Sequence, residues 1–157
     1  MGERAGQGNA AMARALAEAE AAGAAGEVPV GAVLADAAGA IVAAAGNRVE
    51  RDRDPTAHAE MLVLRAGAAR LDLKRLEGCD LYVTLEPCPM CAAAIALARI
   101  RRLYFAAFDP KGGGVEHGPR IFDLPTCHHR PEIYGGIAER AAAELLRQFF
   151  LARRLPP

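Results

Sequence analysis

Residues 80–108 read DLYVTLEPCPMCAAAIALARIRRLYFAAF, and three successive elements can be recognised in them. Asp80 to Leu85 has the apolar character of a buried strand, and Pro89 to Ala98 is typical of a helix opened by a proline. Arg102 to Phe108 predicts a second strand. Strand, helix and strand in this order predict a crossover between two parallel strands.

The chain before this unit predicts a helix followed by an antiparallel hairpin. Val28 to Ala35 and Ile41 to Ala45 are short apolar segments divided by a turn-like linker. Ala10 to Ala25 consists mainly of strong helix formers. Residues 1–9 are rich in glycine and polar side chains, so we expect them to be disordered.

Two further helices, a strand and a long connection complete the predicted element order. From about Thr56 the apolar residues recur at helical spacing, and Gly136 to Arg154 predicts a terminal helix. Glu132 to Tyr134 predicts a short last strand. The connection from Asp109 to Pro131 has no clear periodicity, and its length is typical of functional loops.

Length and composition indicate one domain spanning residues 1–157. This length is enough for one hydrophobic core and short for two. The chain has 19 basic residues (lysine plus arginine) and 19 acidic residues (aspartate plus glutamate). This balance argues against a protein that binds nucleic acid through an overall positive charge. The apolar runs are too short for a membrane span or a signal peptide. We therefore expect a soluble cytoplasmic protein.

A split pair of motifs, His58-Ala59-Glu60 and Pro87-Cys88-Pro89-Met90-Cys91, predicts a zinc site. Cys88 and Cys91 are three residues apart and share one helix face. Helix N-termini favour the thiolate form that binds the metal. Three protein ligands, His58, Cys88 and Cys91, leave a fourth position for water, as in hydrolytic zinc sites. We expect one Zn²⁺ per chain.

Glu60 is the carboxylate within the first motif and the predicted catalytic residue. From two positions beyond His58 it can reach a water without coordinating the metal, so we expect it to move protons to and from substrate. A structural alternative also fits the motifs. Cys88 and Cys91 can be half of a closed zinc site completed by further ligands, which would make the protein a zinc-stabilised binding module without catalysis. The candidate further ligands are Cys79, Cys127, His128 and His129, of which the two cysteines are otherwise predicted to be free thiols.

Several blocks of the chain resemble the bacterial tRNA adenosine deaminases, within the cytidine deaminase superfamily. The blocks are Glu27 to Leu34, Asn47-Arg48, Asp54 to Glu60, Tyr82 to Cys88, Asp109 to Lys111, Phe149-Phe150 and Arg153-Arg154. The resemblance implies a three-layer α/β/α domain with a central mixed sheet of five strands, the last parallel to its neighbour. It also implies a homodimer.

The resemblance implies deamination of adenosine to inosine at the wobble position of a tRNA anticodon, with tRNA-Arg as the expected partner. It assigns proton transfer to Glu60 and zinc binding to His58, Cys88 and Cys91. The implied substrate-binding residues are Asn47, the Ala59 backbone, Val30, Leu85, Asp109, Lys111, Phe149, Phe150 and Arg153. Arg99, Arg101 and Arg102 form a basic cluster expected to add to the RNA surface, whereas Glu86 is assigned a structural role.

Deaminases of a free base such as guanine or cytosine are the nearest alternative within the superfamily. They need the same activated water, so the metal motif does not separate them from the tRNA enzymes. The block from Asp54 to Glu60 and the Phe149-Phe150 pair favour tRNA. The riboflavin-pathway deaminases share Thr-Leu-Glu-Pro-Cys, but their second cysteine lies farther along the chain than Cys91 does here.

Overall fold

A five-stranded mixed sheet forms the centre of the protein, whose computed structural model describes residues 2–154, with side chains from residue 6 onward. The strand order is β2-β1-β3-β4-β5. β1 pairs antiparallel with β2 and β3, whereas β3–β4 and β4–β5 are parallel. The predicted hairpin, crossover and parallel last strand are thereby confirmed. The strands are β1 (Gly31–Ala35), β2 (Ile41–Gly46), β3 (Asp80–Leu85), β4 (Arg102–Ala107) and β5 (Glu132–Gly135).

Helices cover both faces of the sheet. α1 and α4 pack on one face and contact each other, while α2 packs on the other face beside α3. The helices are α1 (Gly2–Ala24), α2 (Ala59–Leu71), α3 (Pro89–Leu97) and α4 (Glu139–Arg154). The three-layer α/β/α architecture predicted for the chain is therefore confirmed.

Alternating side chains of the strands build a separate apolar cluster on each face. Leu81 and Val83 of β3 belong to the cluster under α2 and α3, whereas Tyr82 between them belongs to the cluster under α1 and α4. β1 alternates in the same way and all five of its residues are buried. A strand buried on both faces reads as a continuous apolar run, as the sequence of β3 does.

α1 lies unusually close to β1 because a glycine stands at the crossing point. A Cβ atom at Gly31 would lie 2.0 Å from the carbonyl oxygen of Ala15, so a larger residue would push helix and strand apart. Met12 and Ala15 of α1 are buried against the sheet at this contact. Small residues on both elements therefore set the thickness of this layer.

The N-terminal segment differs from its predicted state. Residues 1–9 were expected to be disordered, but α1 begins at Gly2, so the prediction is wrong for residues 2–9, and Met1 lies outside the described residues. Packing against the sheet explains the longer helix, since a Cβ at Gly8 would lie 3.5 Å from the hydroxyl oxygen of Tyr82. Tertiary contact here prevails over the weak helix propensity of the three glycines among residues 2–9.

The connection between β4 and β5 contains one short 3₁₀ turn, Ile121–Asp123. Its middle is nonetheless buried at Gly113, Gly114 and Val115, so this loop packs into the fold. Within residues 2–154, none of the helices combines the length and apolar character that crossing a membrane requires.

Candidate metal centre

His58 is placed by a tight turn that delays the start of α2. The Asp54 carboxylate accepts hydrogen bonds from the Thr56 backbone N–H at 2.8 Å and from the Thr56 hydroxyl at 2.7 Å. These bonds hold residues 54–57 in a turn, so the helix begins at Ala59 and not near Thr56 as predicted. His58 becomes the N-cap residue in extended conformation, and Glu60 lies in the first turn.

Cys88 and Cys91 are placed by the end of β3 and the start of α3. β3 ends at Leu85, and Cys88 caps α3 in extended conformation with Pro89 at the first helical position. The fixed φ of proline suits this position, where its missing N–H leaves no hydrogen bond unmade. Cys91 follows one turn later and is fully buried. Both cysteines therefore face the N-terminus of α2.

The three predicted ligands converge. Nδ1 of His58 lies 3.6 Å from Sγ of Cys88 and 3.5 Å from Sγ of Cys91, although 30 residues separate His58 from Cys88. A tetrahedral ion with Zn–S of about 2.3 Å and Zn–N of about 2.0 Å places such ligand atoms about 3.5 Å apart. The donor set therefore fits zinc, and among the described residues no further side chain joins His58, Cys88 and Cys91 in this group.

Electrostatics at the two thiols favour a thiolate at Cys88. Hydrogen bonding from Cys91 and from His58 lowers the pKa of Cys88 to about 4. The same contact with Cys88, together with burial, raises the pKa of Cys91. The hydrogen bond to Cys88 in turn raises the pKa of His58. With Cys88 as thiolate and Cys91 as thiol, binding of a metal cation by both sulfur atoms would release the Cys91 proton.

Glu60 lies beside these ligands as a buried carboxyl group. The residue is 4% exposed, and burial raises the pKa of its carboxyl, with the nearby Cys88 thiolate acting in the same direction. A raised pKa brings a carboxyl closer to neutral pH, where it can both accept and donate a proton. Its environment therefore suits proton transfer.

A cavity of about 550 Å³ opens onto His58, Glu60 and Cys88. Its walls come from the segment between α1 and β1, the loop after β2, the end of β3 and the turn after it, the loop after β4, and the C-terminal half of α4. The remaining lining residues are Gly26, Glu27, Val28, Val30, Asn47, Val49, Glu50, Pro55, Leu85, Glu86, Asp109, Gly112, Phe149, Phe150 and Arg153.

Seven of the nine predicted substrate-binding residues line this cavity, namely Val30, Asn47, Leu85, Asp109, Phe149, Phe150 and Arg153. Ala59 and Lys111 do not. Ala59 is fully buried, and its backbone N–H donates to Oδ1 of Asn47 at 2.8 Å. Lys111 is exposed and its N–H donates to Asp109. The Ala59 N–H thus orients the Asn47 side chain. Of these two residues, Asn47 lines the cavity and Ala59 does not.

The C-terminal helix carries its aromatic pair over the cavity. The rings of Phe149 and Phe150 meet edge to face at 5.3 Å, and Phe150 is the more exposed. Arg153 lies 4.2 Å above the Phe149 ring and donates to the carbonyl oxygen of Gly26 at 2.8 Å. Arg153 thereby ties the end of α4 to the end of α1 and holds the aromatic wall in place.

The predicted basic cluster of Arg99, Arg101 and Arg102 does not line the cavity, and its contribution to an RNA surface stays a prediction. Arg101 forms two hydrogen bonds with Asp80, at 2.9 and 3.0 Å, and Arg102 pairs with Glu132 at 2.7 Å. Asp80 begins β3, whereas Leu85 at the other end of the strand lines the cavity, about 16 Å away at strand spacing. Adjacency in sequence was misleading because β4 runs away from this cluster toward the site.

The sequence prediction missed Glu27, which lines the cavity while being 1% exposed. Its carboxylate accepts the backbone N–H groups of Glu50 and Arg51, at 3.0 and 2.9 Å. Burial opposes ionisation, but these bonds and the Arg51 charge together lower the pKa of Glu27. A carboxylate directly before an apolar strand was the available signal. Val28, Val49, Glu50, Pro55 and Gly112 were also missed, and their residue types give no comparable signal.

Glu86 has the structural environment predicted for it. The side chain is fully buried and hydrogen-bonds to the backbone of Asp109, Val115, Glu116 and His117 and to the His117 ring. Burial alone would raise the pKa of Glu86, but the bond from the His117 ring and those from the backbone lower it. Glu86 therefore stays ionised inside the protein.

Comparisons with known proteins agree with this geometry. Residues 6–107 match the family described as the cytidine and deoxycytidylate deaminase zinc-binding region. The tRNA-specific adenosine deaminase of Agrobacterium fabrum is 58% identical over 144 residues, which cover 92% of this chain and 94% of that protein.

Two solved structures are also similar. One comes from studies of A-to-I editing by tRNA:A34 deaminases at the wobble position, with a TM-score of 0.86 and 56% identity over 88% of this chain and 99% of that one. The guanine deaminase of Nitrosomonas europaea has a TM-score of 0.76 and 28% identity, covering 89% of this chain and 82% of that one. Identity is thus twice as high to the tRNA-editing structure.

Proposed function

Because this chain belongs to the tRNA-specific adenosine deaminases of the cytidine and deoxycytidylate deaminase family, we propose that it hydrolyses adenosine to inosine at the wobble position of a tRNA anticodon. The observation that carries the chemistry is the convergence of His58, Cys88 and Cys91 beside the buried Glu60 carboxyl. Three ligands with an adjoining cavity are the arrangement of a hydrolytic zinc site.

His58, Cys88 and Cys91 would hold the zinc ion, which when bound would lower the pKa of a coordinated water from ~15.7 towards ~7. Glu60 takes a proton from the attacking water and delivers it to N1 of adenine, as C6 accepts the oxygen. Glu60 next takes the proton of the new C6 hydroxyl and passes it to the amino group, which leaves as ammonia as the C6 carbonyl forms. Adenosine and water thus become inosine and ammonia, with Glu60 returned to its starting state.

The cavity walls suit a flat purine base. Its volume lies within the range of about 300–1,000 Å³ usual for small-molecule sites. Val30 and Leu85 offer apolar surface, and Asn47 offers an amide held by the bond from Ala59 and by its own donation to Val28 O at 3.2 Å. A side chain anchored in this way reads hydrogen-bonding groups without first losing conformational freedom.

Side chains at the outer part of the cavity are proposed to contact the nucleotides around the target base. Phe149 and Phe150 present aromatic faces on which a base can stack, as is usual for single-stranded RNA. Asp109 and Arg153 line the same region, and Lys111 is exposed two residues from Asp109. These groups would be of little use to an enzyme acting on a free base.

We infer tRNA-Arg as the substrate, a homodimer as the assembly and the cytoplasm as the location from the family resemblance. For the homodimer, support comes from an apolar surface beside α3, where Leu97 is 76% exposed and Leu124 is 40% exposed. Large exposed apolar side chains that lie together often mark a protein interface. Light scattering of the purified protein should give twice the mass of one chain.

A substrate panel tests the proposed function against the free-base alternative. The zinc-loaded protein is incubated separately with a tRNA-Arg transcript, free guanine, free cytosine and free adenosine, and released ammonia is measured. We expect release from the transcript alone. The 28% identity to a guanine deaminase makes guanine the informative competitor, and turnover of guanine without turnover of the transcript would contradict the proposal.

A further inference from the structure

Glu86 is a buried carboxylate next to the site for which the reaction gives no use. It lies two residues before Cys88, and its side chain has no exposed surface. A charged group is retained in such a place only when hydrogen bonds replace the water it has lost. The donors that replace this water show what Glu86 holds in place.

All of the hydrogen bonds that the Glu86 carboxylate accepts come from the loop of residues 109–117. Oε1 accepts the Asp109 N–H at 3.1 Å and the His117 Nδ1–H at 2.8 Å. Oε2 accepts the N–H groups of Val115, Glu116 and His117 at 3.0–3.2 Å. An ionised carboxylate accepts hydrogen bonds at both oxygens, so all five contacts can be made together only when Glu86 is ionised.

The same loop is pressed against the turn that carries the first cysteine ligand. The Gly114 N–H donates to the Pro87 carbonyl oxygen at 2.8 Å. A Cβ at Gly114 would lie 2.6 Å from the Pro89 nitrogen and 2.9 Å from the Cys88 carbonyl carbon. The backbone of the loop therefore packs directly on the backbone of the Pro87–Pro89 turn, and no side chain lies between them.

We propose that Glu86 is a positioning residue of the metal centre, which holds the loop of residues 109–117 on the Pro87–Pro89 turn and so fixes Cys88 toward His58 and Cys91. Residues outside the ligand shell often set ligand orientation in this way. The same loop brings Asp109 and Gly112 to the cavity wall. One carboxylate therefore orients both a metal ligand and part of the substrate wall.

Zinc affinity measured by competition with a chromophoric chelator tests this proposal without any substrate. Glu86→Gln keeps the side-chain shape, but its amide N–H₂ would oppose N–H donors of the loop. We expect zinc to bind about 10–100-fold more weakly, the range for loss of a group that orients a metal ligand.

Asp80→Asn is the matched control, since it neutralises a buried carboxylate at the opposite end of β3. Asp80 pairs with Arg101 and lies away from the cavity. Both variants should unfold at lower temperature, but Asp80→Asn should bind zinc as the unaltered protein does. Equal zinc affinities of Glu86→Gln and Asp80→Asn would overturn the proposal.

His117→Ala provides a milder variant in case Glu86→Gln does not fold. It removes the ring donor to Glu86 from a side chain that is 35% exposed, and leaves the backbone bonds in place. Zinc affinity should fall by less than in Glu86→Gln but remain below that of Asp80→Asn. An unchanged zinc affinity in His117→Ala would count against the proposal.

Activity on the tRNA transcript separates this inference from the proposed function. The effect on the substrate wall rests on that function, whereas the effect on zinc affinity does not. With saturating zinc, Glu86→Gln should raise KM through the Asp109 wall more than it lowers kcat. If the unaltered protein does not deaminate the transcript, the proposed function fails while the zinc result stands. If it does and the zinc affinity of Glu86→Gln is unchanged, the role of Glu86 fails alone.

Discussion

Glu60 owes its proposed role to where the α2 helix begins. Because the Asp54 turn makes His58 the cap, Glu60 falls in the first helical turn, where it is buried next to the metal ligands. The predicted start near Thr56 also put His58 and Glu60 in the first turn, and the structure moves the start to Ala59, so that His58 becomes the cap. The spacing alone identified the pair, and the cap geometry explains their proximity.

Glu60→Gln should retain one zinc per chain and lose about 10²–10⁴ in kcat, the usual contribution of a positioned acid–base group. The amide has nearly the same shape but cannot carry the proton between water and adenine. Metal analysis and single-turnover deamination measure the two effects. Glu144→Gln, at an exposed position of α4, serves as control and should keep full activity. A variant that keeps zinc and near-normal turnover would remove Glu60 from the mechanism.

A substitution of Cys127 distinguishes a catalytic zinc site with three protein ligands from a closed structural site with four. It is a free thiol that donates to the carbonyl oxygen of His129 at 3.3 Å. Cys127→Ala should therefore retain one zinc per chain, whereas Cys91→Ala should lose it, as measured by metal analysis after dialysis. Loss of zinc in Cys127→Ala would favour the zinc-stabilised binding module over the enzyme.

The sequence predicted the role of a residue where residue type and spacing determine that role. It did not predict the role where a partner that is distant in the chain determines it. His58, Cys88 and Cys91 were found because these ligand types occur at metal-binding spacing. Sequence did not show that Arg101 and Arg102 are ion-paired away from the cavity, because their partners, Asp80 and Glu132, are brought beside them only by the sheet register. Charge on a side chain does not show which residue neutralises it.

Element types were predicted well, and element ends poorly, for a physical reason. β3 and β4 were recognised because strands buried on both faces form continuous apolar runs. The starts of α1 and α2 were misplaced because the first depends on contact with the sheet at Gly8 and the second on the side-chain bonds of Asp54. Neither interaction leaves a mark in the local periodicity.

The close contact of α1 with β1 predicts that Gly31→Ala destabilises the protein by about 1–3 kcal/mol, the range for overpacking a core. The added Cβ would overlap the Ala15 carbonyl oxygen of α1. Gly6→Ala is the matched control on α1, with nothing within 4 Å of its added Cβ, and should gain about 0.5–1 kcal/mol from helix propensity. Urea unfolding measures both changes, and equal stabilities of the two variants would contradict this account of the interface.

Glu27 makes the loop after β2 sensitive to acid. Its pKa is lowered in the folded protein from an ordinary value near 4.5. A lowered pKa means that Glu27 contributes stability above pH 4.5 and loses it as the pH falls through the folded value. The difference in free energy of unfolding between the unaltered protein and Glu27→Gln should thus be constant from pH 6 to 8 and shrink below about 4.5. A difference that grows on acidification would have the wrong sign.

Taken together, the site is assembled from segments that are far apart in the chain. The segment between α1 and β1, the loop after β2, the turn after β3, the loop after β4 and the end of α4 all reach one cavity. The parallel crossover explains part of this, since the carboxyl ends of β3 and β4 lie at the same edge of the sheet. The loop of residues 109–117 could not be placed from sequence because its contacts depend on glycines whose neighbours are distant in the chain.

Conversion at position 34 of an anticodon stem-loop is the decisive measurement for this protein. The zinc-loaded enzyme is incubated with a tRNA-Arg stem-loop that has adenosine at position 34 and at other loop positions, and inosine is mapped by sequencing, with Glu60→Gln in parallel. We predict inosine at position 34 alone, absent with Glu60→Gln. An unmodified position 34 under conditions where the same preparation deaminates free guanine would show that the protein is a free-base deaminase.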